Sequence, residues 1–238
     1  MRIALLLALA ACHPAPAAQQ PAPAPPPSQG CASIQACTAE ADEALDANDI
    51  PRALNALNRA CVFGDAHSCA RQGVYLATNP QRTGDVQRAN VLFAQACDNN
   101  DALGCERLAM ASDDAKAAQL FDKSCTLGNQ NACGKLAFRM HSGKGTSVDN
   151  ARAVQLAQKA CDAGAGIGCA ALGRAFAEGW NGTVDKAQAK TLFEKSCNLN
   201  DGHGCADLAD VTTNPTEASR LRAKACAQGY HEACPSRQ

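Results

Sequence analysis

Six pairs of cysteines share one spacing, and this spacing restricts the fold of the chain more than any other feature. Each pair is C-x7-C, and successive first cysteines are separated by 36, 28, 36, 36 and 29 residues. Periods in this range are typical of solenoids, in which each repeat packs only against its neighbours. The pairs are Cys61 with Cys69, Cys97 with Cys105, Cys125 with Cys133, Cys161 with Cys169, Cys197 with Cys205, and Cys226 with Cys234.

The residues around each first cysteine predict two helices in every repeat. Twelve residues before it stands Asp or Asn, which cap helix N-termini, and three residues after it stands Gly or Asn, which tolerate the left-handed conformation that ends a helix. A helix, here called helix B, is therefore expected between these positions. A second, helix A, is expected to begin at the second cysteine, and it should be shortened in the 28- and 29-residue copies. The predicted capping residues are Asp49, Asp85, Asp113, Asp149, Asp185 and Asn214.

The C-x7-C spacing also predicts how the cysteines pair. Eight residues of continuous helix rise about 12 Å, whereas a disulfide requires α carbons within about 7 Å. Each pair can therefore bond only where the chain reverses, and the central Gly or Asn provides that reversal. Cys31 and Cys37, spaced C-x5-C, are expected to close the first helix. Zinc and c-type haem are disfavoured because the chain has no C-x-x-C, so we predict no metal and no cofactor.

The N-terminus predicts export and anchoring. Residues 1–11 carry one positive charge and a short apolar run, as in a signal peptide, and Leu9-Ala10-Ala11-Cys12 resembles a bacterial lipobox whose cysteine is lipidated. The alternative is an ordinary signal peptide with an incidental cysteine. His13, rather than Asp, follows Cys12, which in Gram-negative bacteria implies the outer membrane.

A Pro/Ala-rich tether follows the predicted lipidation site. Residues 12–30 cannot bury a core and favour polyproline II, so eighteen of them would extend about 55 Å. The predicted repeat domain covers residues 31–238. Fifteen cysteines suit an oxidising compartment, in keeping with secretion across the inner membrane and a location facing the periplasm or the cell surface.

Taken together, the motifs resemble the Sel1-like repeat family over residues 31–238. They are A-x6-A-C or S-C in helix B, a small residue before the second cysteine, Leu-Gly or Leu-Ala after it, and a glycine loop ending in Val-Asp, as in Gly143–Asp149. The regular C-x7-C pairs look most like the secreted cysteine-rich, Hcp-type branch. The resemblance implies an all-α fold of about six tetratricopeptide-like αα hairpins in a right-handed superhelix. It also implies a binding scaffold, and for this branch penicillin binding with slow β-lactam hydrolysis.

The sequence contains no catalytic set that would support such hydrolysis. No S-x-x-K and no H-E-x-x-H occurs, so we predict no catalytic residues. The net charge of −1 and the pI near 6.5 argue against nucleic-acid binding. Redox work by the disulfides is a weaker alternative, because regularly spaced structural disulfides resist reduction.

Two features are candidates for ligand binding. Ten residues after the first cysteine stand Arg71, Arg107 and Lys135, which could form a basic strip on helix A facing the concave side; the alternative is an ordinary solvated helix face. Trp180 could anchor a ligand from its loop or simply pack over the helix edge. His67 and His203 share one repeat position and are interpreted as turn residues.

The sequence therefore predicts a lipid-anchored scaffold of the cell envelope without catalysis. Its expected partner is a protein or a peptide, or a cell-wall fragment, and the membrane is reached through the lipid anchor alone. The alternative is a β-lactam-binding protein or weak β-lactamase.

Overall fold

The computed structural model describes residues 30–80 and 84–234, and within these ranges all the regular structure is helical. The described residues from Cys31 onwards belong to one compact unit. The predicted signal peptide, Cys12 and most of the tether lie outside the described residues. No helix within the described ranges has the length and apolar character needed to cross a membrane.

Twelve α helices and one short 3-10 helix occur among the described residues. The bounds are α1 Ile34–Asp46, α2 Ile50–Val62, α3 Ala66–Thr78, α4 Asp85–Asp98, α5 Ala102–Met110, α6 Asp114–Thr126, α7 Gln130–Ser142, α8 Asn150–Asp162, α9 Gly166–Glu178, α10 Lys186–Asn198, α11 Gly202–Val211, α12 Pro215–Ala227 and the 3-10 helix His231–Ala233.

Consecutive helices pack as six αα hairpins, which confirms the predicted helical solenoid. The odd-numbered helices correspond to helix A and the even-numbered ones to helix B. Helices α5 and α11 have nine and ten residues, whereas the other odd-numbered helices have 13. These two short helices lie in the 28- and 29-residue copies, as expected.

All seven predicted disulfides are present, with α carbons 4.4 to 4.9 Å apart. Five join an even-numbered helix to the next odd-numbered one, one ties α12 to the segment after the 3-10 helix, and one closes onto α1. The chain reverses between paired cysteines at residues with positive φ, including Gly128 (99°) and Asn200 (60°), as predicted. The bonds are Cys31–Cys37, Cys61–Cys69, Cys97–Cys105, Cys125–Cys133, Cys161–Cys169, Cys197–Cys205 and Cys226–Cys234.

The predicted start of helix A at the second cysteine is wrong by three residues. The helices α3, α5, α7, α9 and α11 each begin three residues before that cysteine, which therefore lies within the first turns. The physical reason is a cap that the sequence reasoning missed: Asp65, for example, accepts a hydrogen bond from the backbone N–H of Ser68. The second cysteines are Cys69, Cys105, Cys133, Cys169 and Cys205, and the residues four before them are Asp65, Asp101, Asn129, Ala165 and Asp201.

The predicted N-caps of helix B are correct except at α4. Asp49, for example, accepts a hydrogen bond from the backbone N–H of Arg52. At α4 the cap is Gly84, in the left-handed conformation, and Asp85 is instead the first helical residue, buried at 3% exposure. The prediction of Asp85 as an N-cap is therefore wrong, because the glycine before it takes the cap position and moves the aspartate into the first turn, where it contacts Arg88.

Small residues let neighbouring helices approach closely at each disulfide. The position before the second cysteine is glycine in three of the five odd-numbered helices that contain one. A Cβ atom at Gly168 would collide with Cβ of Ala160 and lie 2.7 Å from the backbone nitrogen of Cys161. Close contact between the backbones of neighbouring helices therefore stabilises the thin core together with the apolar side chains.

Candidate functional site

The odd-numbered helices line an open cavity of about 570 Å³ in the C-terminal half of the described residues. Its walls come mainly from α7, α9, α11 and the residues after α12. We call it the aromatic pocket after a row of five rings that line it, Phe138, His141, Trp180, His203 and Tyr230.

The five rings form a continuous row. His141 stacks on Trp180 with ring centres 3.9 Å apart and planes 9° apart. Phe138 meets Trp180 edge-on at 6.2 Å and stacks with His203 at 6.0 Å. His203 in turn lies 4.7 Å from Tyr230, so the row runs from His141 in α7 to Tyr230, just before the 3-10 helix.

Trp180 is part of the pocket wall. Only 6% of its surface is exposed, and its Nε1 donates a hydrogen bond of 2.9 Å to Glu178. The same carboxylate lies 3.3 Å from Nε2 of His141, and Nδ1 of His141 is 3.0 Å from Asn150. The tryptophan is thus packed between α7 and α9 rather than projecting from its loop, and direct ligand contact by it stays a prediction.

Cations surround the row of rings, and acidic residues hold three of them in place. Arg174 forms two parallel hydrogen bonds with Asp207, of 2.8 and 2.7 Å, and its guanidinium lies 5.0 Å over the Phe138 ring. Arg139 pairs with Asp114 at 2.9 Å. A bidentate arginine–carboxylate pair fixes the orientation of the guanidinium, so the pocket wall is built before any ligand arrives.

Lys135 is held in the same way at the edge of the pocket. Its Nζ lies 2.6 Å from Glu106, whose other oxygen accepts a hydrogen bond from Asn129. Burial alone would raise the pKa of Glu106, but the charge of Lys135 and the hydrogen bonds from Lys135 and Asn129 bring it below its ordinary value. The carboxylate is therefore ionised at neutral pH and partly neutralises Lys135.

The predicted basic strip of Arg71, Arg107 and Lys135 borders two cavities, and it stays a prediction as a binding surface. Lys135 lines the aromatic pocket, whereas Arg71 and Arg107 line a separate cavity near the N-terminus of the repeat domain. The next two repeats carry Ala171 and Asp207 at this position; Ala171 is buried and Asp207 pairs with Arg174. Each cation thus has a different local environment despite the shared repeat position, and a binding role for each stays a prediction.

Sequence reasoning missed most of the aromatic pocket. Many residues that line the two cavities recur 6, 10 and 13 positions after the first cysteine, a spacing of i, i+4 and i+7 that places them on one helix face. The sequence indicates a binding role only for the middle row, where three successive copies carry a cation, and His203 of the first row is interpreted there as a turn residue. The row six residues after the first cysteine contributes Leu103, Ile167 and His203. The row thirteen residues after it contributes Val74, Met110, Phe138 and Arg174.

The repeats match a known family. The Sel1 repeat model matches residues 104–129, 130–164 and 166–201. The chain belongs to the Sel1 repeat family. The second and third matched repeats hold the lining residues of the aromatic pocket on α7 and α9, among them Phe138, His141 and Arg174, and also Trp180. Sel1 repeats generally serve as protein-interaction modules, which supports a protein partner.

Solved Sel1 repeat structures show the same fold. A Sel1 repeat protein from Oxalobacter formigenes is 18% identical, with a TM-score of 0.64 over 82% of this chain and 86% of that one. A protective antigen of uropathogenic Escherichia coli is 18% identical, with a TM-score of 0.61 over 84% of this chain. This chain spans only 47% of the length of that antigen.

A cysteine-rich Sel1 repeat protein is also similar in sequence. Helicobacter pylori cysteine rich protein B is 30% identical over 53% of this chain and 96% of that one, with a TM-score of 0.40. None of the curated proteins matches the chain.

The described residues show neither a metal cluster nor an activated serine. No group of three or more His, Cys, Asp or Glu side chains in the described ranges is placed to hold a metal ion. The hydrogen bonds of the described serines run to backbone groups or to Asp201, as for Ser124 with Ala102 and Ser196 with Gly166, and not to a lysine or histidine. The β-lactam alternative therefore rests on resemblance alone.

Proposed function

We propose that the chain is a binding scaffold that recognises an extended segment of a partner protein in the aromatic pocket. The observation that carries the proposal is the continuous row of five rings flanked by guanidinium groups that ion pairs hold in place. Aromatic residues and arginine dominate the energy of protein interfaces, mainly where they are rigid before binding.

The charge of the pocket indicates what kind of segment it would take. Four cationic residues line it with two acidic ones, and three of the cations also pair with carboxylates at its edge, so ion pairs hold most of its cations in fixed positions. The acidic side chains are Glu178, which is engaged by Trp180, and Glu232, which accepts a hydrogen bond of 2.6 Å from Tyr230. A peptide with an apolar side chain beside an acidic one would place the first against the rings and the second near a cation. The cations are Lys135, Arg139, Lys144 and Arg174.

Peptide selection on the purified chain tests this role. Peptides selected from a random display library should be enriched in apolar–acidic pairs. We expect His203→Ala to weaken their binding about fivefold or more, since a central interface residue contributes more than about 1 kcal/mol. Affinity is measured by fluorescence anisotropy with the selected peptides.

A matched histidine provides the control for this experiment. His67 occupies the same repeat position as His203 but lies outside the aromatic pocket, where its Nδ1 is 3.0 Å from Asp101. His67→Ala should leave the affinity unchanged. Equal affinities for His203→Ala and wild type would show that the peptides bind elsewhere.

The proposal places this scaffold in the cell envelope, attached to the outer membrane through Cys12. The support is the lipobox-like Leu9-Ala10-Ala11-Cys12, the Pro-rich tether and the seven disulfides, which suit an oxidising compartment. The tether would hold the repeat domain away from the membrane surface, so that the odd-numbered helices remain accessible to a partner.

Replacing the proposed lipidated cysteine tests the attachment. Cys12→Ala should move the protein from the membrane fraction to the soluble fraction, because it removes the only acylation site proposed. Fractionation of cells and the intact mass of the wild-type protein are measured. A variant that still sediments with membranes, together with a wild-type mass that contains no acyl groups, would refute lipid anchoring.

A further inference from the structure

A second cavity, of about 280 Å³, lies between the first three hairpins and has a different character. It is partly open and is lined mainly by aliphatic side chains of α1, α2, α3 and α5, such as Leu54, Leu57, Val74 and Leu103. Two guanidinium groups, those of Arg71 and Arg107, also line it, and we call it the arginine pocket. None of its lining residues belongs to the aromatic pocket.

Arg107 brings an unsatisfied donor to this apolar cavity. Its Nε is buried and has no hydrogen-bond partner among the described residues. The adjacent carboxylate of Glu106 is bound to Lys135 and Asn129 instead. A buried donor without a partner is unfavourable, so a turn of the Arg107 side chain toward an acceptor in the pocket would form a hydrogen bond that the free protein lacks.

Arg71 adds a second positive charge at the same cavity. Its Nη2 pairs with Asp42, whose side chain is 62% exposed. Exposed ion pairs contribute little to stability, and a guanidinium has five N–H donors. Arg71 can therefore keep its contact with Asp42 and still donate to a second anion.

We propose that the arginine pocket binds an aliphatic carboxylate, a fatty acid of medium chain length. The acyl chain lies against the leucine and valine side chains, and the carboxylate accepts hydrogen bonds from Arg71 and Arg107. The volume is at the small end of ligand pockets, which suits a single short acyl chain rather than a phospholipid. A small rotation of the Arg107 side chain would let its Nε donate to this carboxylate.

The lining argues against a peptide as the occupant. Apart from the two arginines, the polar side chains at this cavity are Tyr75 and Thr78. A peptide would bury backbone N–H and C=O groups among aliphatic side chains without partners, which is costly. An acyl chain has no such groups, and its only polar atoms are at the end where the arginines stand.

Titration calorimetry on the disulfide-bonded chain tests the proposal with decanoate, hexanoate and decanol. We expect decanoate to bind one-to-one, hexanoate more weakly because it buries less apolar area, and decanol at least tenfold more weakly than decanoate because it carries no charge. The double variant Arg71→Gln with Arg107→Gln should lose at least tenfold in affinity for decanoate. Arg152→Gln, an exposed arginine outside both cavities, should bind as wild type does.

Each alternative outcome overturns the proposal. Absence of decanoate binding to the wild type refutes the site, and equal affinity for decanol and decanoate refutes the role of the arginines. Unchanged affinity in the double variant places the ligand elsewhere. If the double variant does not fold, the single variant Arg71→Gln is used instead, because this side chain is partly exposed. It must also weaken decanoate binding, and unchanged affinity refutes the proposal. The peptide selection uses the other pocket, so the two proposals can fail independently.

Discussion

Reduction of the seven disulfides is expected to unfold the chain under conditions in which the oxidised protein stays folded. The six C-x7-C bridges each close a loop of about eight residues and are expected to stabilise the native state by about 2–3 kcal/mol. A domain of this kind has only about 5–15 kcal/mol of total stability. The core is rich in alanine, so little apolar area replaces the lost constraint.

Circular dichroism at 222 nm during thermal unfolding, with and without a reductant, measures this effect. The double variant Cys125→Ala with Cys133→Ala removes one central disulfide and should lower the free energy of unfolding by about 2–3 kcal/mol. Cys31→Ala with Cys37→Ala is the matched control at the N-terminal end, where only α1 depends on the bond, and its effect should be smaller. Equal melting temperatures for oxidised and reduced protein would contradict the structural role of the disulfides.

Gly168→Val is expected to disturb the packing of the repeats severely. A Cβ atom at this position collides with Ala160 and the backbone of Cys161, and valine adds two further methyl groups. The neighbouring helix is tied to α9 by the Cys161–Cys169 bond, so it cannot move away easily. Overpacking of this kind costs about 1–3 kcal/mol, occasionally more, and we expect the upper end here.

A glycine in open space provides the comparison for this substitution. Gly64 has a positive φ of 99°, and an added Cβ would meet nothing within 4 Å. Asn100 and Asn200 occupy the equivalent position in other repeats with φ of 62° and 60°, so Gly64→Asn needs only a backbone adjustment and should lower the free energy of unfolding less than Gly168→Val does. Urea unfolding of both variants measures the difference. A stability of Gly168→Val close to that of wild type would show that α8 and α9 can separate without loss of folding.

The helices and disulfides could be predicted because they depend on residues close together in the sequence. The spacing of Cys161 and Cys169, the cap at Asp149 and the reversal at Gly164 all lie within one repeat. The exception at α4 has the same local origin: Gly84 takes the cap position before Asp85.

The aromatic pocket could not be predicted in this way because it joins residues from different repeats. Phe138 and His203 are in contact although 65 positions separate them, and Trp180 meets His141 across the gap between α7 and α9. Single rings in separate repeats look incidental in the sequence. The rings are seen to share one helix face only when the repeats are aligned on the first cysteine and positions 6, 10 and 13 after it are compared.

The short span of every disulfide has a consequence for how such a chain can change in length. Each bridge joins residues only six or eight positions apart, so no disulfide reaches beyond the next hairpin. Duplicating or deleting the segment from one first cysteine to the residue before the next therefore adds or removes one complete pair and leaves no thiol without a partner. A gene for this protein can gain or lose repeats by unequal recombination without disturbing oxidative folding, and the binding surface can lengthen one hairpin at a time.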